Sequence, residues 1–393
     1  MLKKDVNFKL AREKNKKHKL RHKIFYSLLR PLVIVFLKIK FRYKYKKAKN
    51  LPKNYLVISN HTTDYDPLFV SSSFKKQMYF VASEHLARWK TAFKFLDFAF
   101  EPIIRYKATP AVSTIMKMLK KLNEGSNVCI FAEGIRSWNG ETCKISLSTA
   151  KLIKSAKCGL VTYKISGGYL ASPIWSESGL RKGKISGTPI GIYTAEQLEK
   201  MTNEEILDII EKDIYENAFE TNKLAKIKYK SKKLAEGIEN IAFVCPFCKA
   251  RNSLNAQNQT ISCSNCNKTF KYNEYGNFEG TSFKNMLELY NWQTNEIEKD
   301  VIENQPYSND NVVLSSLKTD HSRTKLAEGT LTLNKDYLTC KDFKIKTSEI
   351  SEMAPFGKRG IVFSSGKDYY ELFSTDKFRI MKFIIYFNIY KKI

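Results

Sequence analysis

The sequence predicts an α/β domain with a mostly parallel sheet flanked by helices, followed by two smaller modules. Short apolar runs alternate with amphipathic helical stretches between residues 51 and 222, a pattern typical of parallel β-α-β units. Two closely spaced pairs of cysteines follow, at 245–266. From residue 326 to residue 393, strand-like runs and turns lead into a final helix, which indicates a small α+β domain.

The first 50 residues form a basic segment. The whole chain has 67 Lys and Arg against 39 Asp and Glu, a formal charge of +28. Part of that excess can reflect a Lys-rich composition without function, but residues 1–50 alone hold 18 basic residues and two acids. A polyanionic neighbour, either anionic phospholipid or nucleic acid, is therefore expected.

The apolar stretch 24–41 lies inside this basic segment. Its longest uncharged apolar run, 31–37, is far shorter than the roughly 20 residues that span a bilayer. Basic flanks around a short apolar stripe predict a helix in the membrane interface, which places the protein at the cytoplasmic face of a membrane. The alternative is an ordinary amphipathic helix docked on the domain.

The elements of the α/β domain are predicted from hydrophobic periodicity and stop signals. A capping box at 202–205 opens a helix that runs to residue 216. We expect a linker at 223–240 and a second, partly helical linker at 276–325. The other predicted elements are strands at 55–59, 127–133 and 159–166 and helices at 111–125 and 148–157.

Two polar loops follow predicted strands and hold the candidate catalytic residues. The first reads "SNHTTDYDPL", in which His61 can act as a general base if a carboxylate fixes its second ring nitrogen. Spacing does not choose between Asp64 and Asp66, and Pro67 predicts that Asp66 caps the next helix. A purely structural role for this loop is the alternative.

The second loop reads "CIFAEGIRSW" and begins at the end of the strand 127–133. Gly134 permits a tight turn, and the guanidinium of Arg136 can bind a phosphate in a forked geometry. Because ligands bind outside the carboxyl ends of parallel strands, the two loops are expected to form one site.

Together these loops resemble the motifs of the glycerolipid acyltransferase family, whose typical member acylates 1-acylglycerol-3-phosphate. "NHTTDYD" matches Asn-His-x4-Asp and selects Asp66 rather than Asp64. "FEPIIRY", with Arg105, is similar to the second motif. "FAEGIRS" resembles the third, with Ala132 and Ile135 in place of the family's Pro and Thr, and "LASPIW" resembles the fourth. The resemblance covers about residues 25–215.

The resemblance implies a membrane-associated enzyme of phospholipid synthesis. It would transfer a fatty acyl group from a thioester donor, acyl-CoA or acyl carrier protein, to a lysophospholipid such as lysophosphatidate. Glycerol-3-phosphate or another lysolipid is the alternative acceptor. His61 would be the base and Asp66 its orienting partner. The implied substrate-binding residues are Arg105, Glu133, Gly134, Arg136 and Ser137.

The cysteine pairs predict a metal site independently of that resemblance. Two Cys-x2-Cys pairs separated by 14 residues are typical of a zinc ribbon in which Zn²⁺ is structural. A redox dithiol and an iron–sulfur site are the alternatives. A basic zinc-ribbon protein that binds nucleic acid is the second functional hypothesis, but nucleic acid is not the expected partner because 51–215 shows no recognisable nucleic-acid-binding pattern. The predicted ligands are Cys245, Cys248, Cys263 and Cys266.

The C-terminal module, 326–393, shows antiparallel strand patterns with turns at 334–335 and 366–367. A helix at 376–392 closes the chain. This order resembles the pleckstrin-homology-like or GRAM-like barrel. The resemblance concerns the fold and does not by itself imply lipid binding.

Overall fold

The computed structural model of the protein describes residues 2–303, 305–318, 322–374, 376 and 378–392. A sheet lies at the centre of the N-terminal domain. Its strands are β1 (Lys44–Tyr45), β2 (Tyr55–Ser59), β3 (Met78–Ser83), β4 (Ile103–Arg105), β5 (Asn127–Phe131), β6 (Gly159–Ser166) and β7 (Ser186–Tyr193).

The strands lie in the order β1-β7-β6-β2-β5-β3-β4. Pairing is parallel throughout except between β6 and β7, so the predicted mostly parallel sheet is confirmed. The residues of β2 are all buried, as expected for a central strand covered on both faces. The carboxyl ends of β2, β5, β3 and β4 share one edge, where the two motif loops begin.

Helices cover both faces of this sheet. The amphipathic α4 places Met118 and Leu122 in the core, and Thr202 and Glu205 form the predicted capping box of α8. The helices are α1 (Leu2–Phe41), α2 (Asp66–Ser73), α3 (Lys90–Phe100), α4 (Val112–Asn123), α5 (Leu147–Ala156), α6 (Gly168–Ala171), α7 (Ala195–Lys200), α8 (Asn203–Ile214) and α9 (Ala218–Ala225), with a 3₁₀ turn at Glu84–Trp89.

The long helix α1 docks on the domain through one face. Tyr26 donates its hydroxyl to the carbonyls of Ser71 and Phe74 at 2.9 and 3.0 Å, and Arg30 donates to the carbonyls of Ser71 and Ser72 at 3.2 and 2.6 Å. These bonds satisfy carbonyls at the C-terminal end of α2. In the described part of the chain, no helix is long and apolar enough to cross a bilayer.

The helix α2 begins at Asp66 itself and Tyr65 is its N-cap residue, so the prediction that Asp66 caps this helix is wrong. The Asp66 carboxylate instead accepts the backbone N–H groups of Thr62 and Thr63, at 2.5 and 3.0 Å. Pro67 lies in the first turn of the helix, as predicted. The carboxylate therefore stabilises the loop before the helix rather than the helix terminus.

The segment expected to be a linker, 223–240, is packed into the core. Its residue Leu234 is fully buried, and its carbonyl accepts Nη2 of the buried Arg181 at 2.7 Å. The Arg181 guanidinium also lies 5.2 and 5.3 Å from the ring centroids of Trp175 and Tyr272. The linker prediction is wrong here because apolar residues among the lysines face the sheet domain.

Tyr272 belongs to a small antiparallel module that carries the cysteines. Its strands lie in the order β11-β10-β9-β8, and a helix follows where the second linker was predicted. The elements are β8 (Leu254–Gln257), β9 (Thr260–Cys263), β10 (Thr269–Tyr272), β11 (Phe278–Glu279) and α10 (Met286–Ile302).

The C-terminal domain is an antiparallel sheet with the strand order β15-β14-β13-β12-β18-β17-β16, closed by one helix. Strands followed by a single helix fit the expected order. The domain begins at Tyr307 rather than at 326, because β12 pairs with both β13 and β18. The elements are β12 (Tyr307–Leu317), β13 (Arg323–Leu333), β14 (Tyr337–Cys340), β15 (Phe343–Lys346), β16 (Ile350–Phe356), β17 (Gly360–Ser365), β18 (Asp368–Phe373) and α11 (Ile380–Tyr390).

Candidate active site

The first motif loop is fixed to the sheet by Asn60, directly after β2. Its side-chain amide donates to the carbonyl of Ile165 and accepts the N–H of Ile165, both at 2.8 Å. This pair of bonds imitates a β ladder after the strand has ended. Asn60 is almost fully buried, so the next residue, His61, leaves the sheet in a defined direction.

His61 is held through its ring as well as its main chain. Its Nδ1 atom lies 2.9 Å from Oδ2 of Asp66, and its ring stacks on Phe131, with centroids 4.5 Å apart and planes 21° apart. The side chain is 21% exposed, and among the described residues its Nε2 atom makes no hydrogen bond. The imidazole therefore has one nitrogen paired with a carboxylate and the other available to a ligand.

Asp66 is fully buried and is surrounded by donors. Besides the two backbone N–H groups, the hydroxyls of Thr62 and Thr63 donate to Oδ1 at 3.2 and 2.7 Å. These four bonds prevent the carboxylate from turning away from the ring. Asp64, by contrast, is exposed and contacts Arg136 instead.

Glu133 joins the two motif loops. Its Oε1 atom accepts the backbone N–H of His61 at 2.5 Å, and its Oε2 atom accepts the backbone N–H of Cys143 at 2.7 Å. Burial raises the pKa of Glu133 to about 7, against the opposing effect of these two bonds. Burial and Glu133 together raise the pKa of the Cys143 thiol. Gly134 follows with φ of +71°, a conformation that glycine adopts without strain.

Arg136 connects three of the motif segments. Its Nε atom donates to the carbonyl of Thr62 at 3.0 Å, its Nη2 atom to the carbonyl of Ser172 at 2.7 Å, and its Nη1 atom to Oδ2 of Asp64 at 3.0 Å. The Arg136 side chain is only 9% exposed. An anion can therefore reach the guanidinium at Nη1, where the Asp64 carboxylate now lies.

The side chains of Ser137 and Arg105, which the resemblance assigned to substrate binding, make hydrogen bonds to neighbouring residues of their own loops. The Ser137 hydroxyl donates to the carbonyl of Glu141 and accepts the N–H of Gly140, at 2.8 and 3.0 Å. Arg105 donates to the carbonyl and the hydroxyl of Thr109, at 2.5 and 2.9 Å, and β4 lies three strands from β2, about 14 Å at a strand spacing of about 4.8 Å. Neither side chain is brought to His61 by a contact in the described residues.

Sequence reasoning missed Thr62, Thr63 and Ser172. The two threonines donate hydrogen bonds to the Asp66 carboxylate, which in turn pairs with the His61 ring. The Ser172 carbonyl accepts a hydrogen bond from Arg136. The "TT" inside the Asn-His-x4-Asp motif was a usable signal, because threonine hydroxyls beside a buried Asp commonly donate to it. A backbone carbonyl such as that of Ser172 leaves no signal in a sequence.

The sulfur atoms of the four predicted cysteine ligands all lie within 4.8 Å of one another. Cys245 and Cys266 are 3.9 Å apart and Cys248 and Cys263 are 3.7 Å apart at Sγ. Tetrahedral Zn²⁺ with bonds of about 2.3 Å requires sulfurs about 3.8 Å apart, so this donor set fits a zinc ion. Two residues of the turns, Phe247 and Asn265, donate their backbone N–H groups to sulfur at 3.5 and 3.4 Å.

Comparisons with known proteins give one family-model match and similar solved structures. Residues 42–166 match the family model described as Acyltransferase. Among solved structures, the chain is similar to the 1-acyl-sn-glycerophosphate (LPA) acyltransferase PlsC from Thermotoga maritima. That similarity has a TM-score of 0.39 and 17% identity, and covers 52% of this chain and 80% of that chain. No curated protein matches the chain.

Proposed function

We propose that the protein transfers a fatty acyl group from a thioester donor, acyl-CoA or acyl carrier protein, to the free hydroxyl of lysophosphatidate. The observation that carries this proposal is the pair formed by His61 and Asp66, with 2.9 Å between Nδ1 and Oδ2, at the carboxyl end of a central strand of an acyltransferase domain. Glycerol-3-phosphate and other lysolipids are the competing acceptors.

The chemistry follows from the unpaired Nε2 atom of His61. This atom takes the proton of the acceptor hydroxyl while Asp66 stabilises the imidazolium through Nδ1. The acceptor oxygen attacks the thioester carbonyl, and the tetrahedral intermediate collapses with cleavage of the carbon–sulfur bond. The leaving thiolate takes the proton back from Nε2, so that His61 is neutral again and the products are an ester and a thiol.

A membrane-bound acceptor agrees with the outer face of α1. Opposite the face that docks on the domain, apolar side chains recur along about 29 Å of helix; the exposed fractions include 65% for Leu28, 66% for Leu32 and 78% for Ile39. Phe95 and Phe98 of α3, each 50% exposed, extend this surface beside Phe25. We propose that this apolar face lies in the membrane interface, with basic flanks on anionic phospholipids.

We propose that the four cysteines bind one structural Zn²⁺. The sulfur spacing and the N–H groups that donate to sulfur support this assignment. The ion would join the turn at 245–248, which precedes β8, to the turn at 263–266, which follows β9, and supply folding free energy to a module of short strands. It has no part in the proposed reaction, because four thiolates leave no open coordination position.

The test is an acyl-transfer assay with purified protein and labelled acyl-CoA or acyl carrier protein. Lysophosphatidate, glycerol-3-phosphate and lysophosphatidylcholine are offered separately as acceptors. We expect the highest kcat/KM with lysophosphatidate. A preference for glycerol-3-phosphate or lysophosphatidylcholine would replace the proposed acceptor, and failure to acylate any hydroxyl compound would refute the function.

A further inference from the structure

The C-terminal domain packs its β16–β17 hairpin against the acyltransferase domain. The Phe356 ring lies edge-on to His85, with ring centroids 4.9 Å apart, and the Tyr369 hydroxyl donates to the buried Glu84 carboxylate at 2.8 Å. Beside these contacts, Ala108 packs with Ala354, Phe356 and Val362 of the C-terminal domain in a small apolar cluster. The position of the hairpin is thus defined by both apolar and polar contacts.

The turn of this hairpin carries Lys358 to the segment that anchors Arg136. The Nζ atom of Lys358 donates to the carbonyl of Ser176, and the Ser176 N–H donates to the carbonyl of Pro173 at 3.1 Å. The carbonyl of Ser172, the residue before Pro173, accepts a hydrogen bond from Nη2 of Arg136. The short turn 172–176 therefore holds one cation from each domain.

A third cation, Lys107, lies at the same domain boundary. Its Nζ atom donates to the carbonyl of Pro355 in the hairpin at 3.0 Å. Burial lowers the pKa of Lys107; Glu84 and Asp64 raise it, and Arg136 lowers it further. Lys107 is thus within electrostatic reach of the Asp64–Arg136 pair.

The pKa of Lys358 is affected by the same Asp64–Arg136 pair. Burial lowers the pKa of Lys358, Glu177 raises it, Arg136 lowers it and Asp64 raises it. The charges of Asp64 and Arg136 therefore act on both lysines, although Lys107 belongs to the N-terminal domain and Lys358 to the C-terminal domain.

Asp64 is one of three anions near these cations, with Glu84 and Glu177, and it is the one paired with Arg136. Its side chain is 79% exposed and lies 3.0 Å from Nη1 of Arg136. Water solvates the exposed Asp64 carboxylate well, so its pairing with Arg136 costs little to break on that side, and a ligand with more negative charge can displace this carboxylate. Asp64 is three residues from His61 along the same loop, and Arg136, its partner, also donates to the carbonyl of Thr62 in that loop at 3.0 Å.

We propose that Lys358 of the C-terminal domain, together with Lys107 and Arg136, binds the phosphate monoester of the acceptor, and that Asp64 occupies this subsite in its absence. This inference rests on the proposed function. When the Asp64 carboxylate moves out, three cations face a phosphate monoester of charge about −1.5 to −2. A phosphocholine headgroup brings its own cation and gains less from the same groups.

The test measures equilibrium binding by calorimetry without a thioester donor, so that it does not depend on turnover. The ligands are glycerol-3-phosphate and lysophosphatidate in neutral micelles, with lysophosphatidylcholine as comparison. Lys358→Gln keeps a hydrogen-bond donor for the Ser176 carbonyl and removes the charge. We expect it to weaken binding of both phosphate monoesters about tenfold, the usual scale for one charge-assisted contact, and lysophosphatidylcholine much less.

The matched control is Lys367→Gln, which removes an exposed lysine from the next turn of the same domain and should leave binding unchanged. Lys358→Arg should restore most of the affinity, and Asp64→Asn should tighten binding severalfold because it removes the competing anion. Equal Kd values for Lys358→Gln, Lys367→Gln and the unaltered protein, or no binding of either monoester, would overturn the inference. Normal binding without acyl transfer would refute the proposed function and leave the subsite standing.

Discussion

The Oε1 atom of Glu133 accepts the backbone N–H of His61 at 2.5 Å, so the carboxylate of one motif fixes the main chain of another. Asp66 fixes the ring of the same histidine from a different side. The proposed base is thus positioned by two carboxylates with different environments: Asp66 is saturated with donors, whereas burial raises the pKa of Glu133 to about 7.

This raised pKa predicts a pH dependence of stability. Between the unfolded pKa of about 4.5 and about 7, the folded protein holds the Glu133 proton more tightly than the unfolded chain does. The contribution of Glu133 to the free energy of unfolding should therefore fall as pH rises through this window, and stay constant above it. Unfolding by urea at several pH values, compared between the unaltered protein and Glu133→Gln, measures this difference. If the free energy of unfolding of the unaltered protein, minus that of Glu133→Gln, rose with pH in this window, the raised pKa of Glu133 would be contradicted.

Asp66 and Asp64 should differ sharply in their effect on rate. Asp66→Asn removes the acceptor that orients His61 and should lower kcat by about 10²-fold or more, by analogy with other oriented histidines. Asp64→Asn should change kcat by less than about threefold, since its carboxylate contacts Arg136 and not the imidazole. Steady-state kinetics on both variants decides the matter, and a larger loss for Asp64→Asn would show that the wrong carboxylate has been assigned.

The apolar face of α1 predicts membrane binding. Leu28→Asp and Leu32→Asp place a charge on that face and should reduce sedimentation with vesicles that contain anionic lipid, by about tenfold in the partition coefficient for the pair. Leu224→Asp is the control, because Leu224 is 86% exposed on α9, away from α1. If Leu224→Asp reduced binding as much as the α1 variants, the effect would reflect charge in general and not this face.

The cysteine cluster predicts one tightly bound Zn²⁺ per chain, measurable by elemental analysis. Cys248→Ser should release it and lower Tm. The loss should extend beyond the ribbon, since Tyr272 packs on Trp175 with ring centroids 5.8 Å apart. A chelator should have the same effect on the unaltered protein. Bound iron, or a disulfide between Cys245 and Cys248 in protein purified under reducing conditions, would revive the alternative assignments.

Much of the fold was predictable because strong local signals agreed with the final structure. The buried β2, β5 and β6 read as apolar runs, and "TNEE" marked the start of α8. The late boundary at 326 has a local cause: β12 begins with polar residues, and its pairing with β13 shifts register between Asn309 and Val312. That irregularity hides the alternation by which a strand is recognised.

The motifs predicted which residues form the candidate site, but they did not predict all of the contacts that these residues make. The sequence placed His61, Asp66, Glu133 and Arg136 in two loops at one sheet edge, and the structure brings these loops together. The sequence could not show that the Ser137 hydroxyl makes its hydrogen bonds to Gly140 and Glu141, within the turn that follows it. The approach of Lys358 depends on how two domains pack, which no local pattern encodes.

The role of His61 as general base is tested most directly by comparing acyl transfer by the unaltered protein and by His61→Ala. Both are assayed with lysophosphatidate and an acyl thioester, and Tm is measured in parallel to establish that the variant is folded. We expect His61→Ala to lose about 10²- to 10⁴-fold in kcat, the usual contribution of a general base, and to retain the binding of glycerol-3-phosphate. A folded His61→Ala protein that transfers acyl groups at the rate of the unaltered protein would contradict this role.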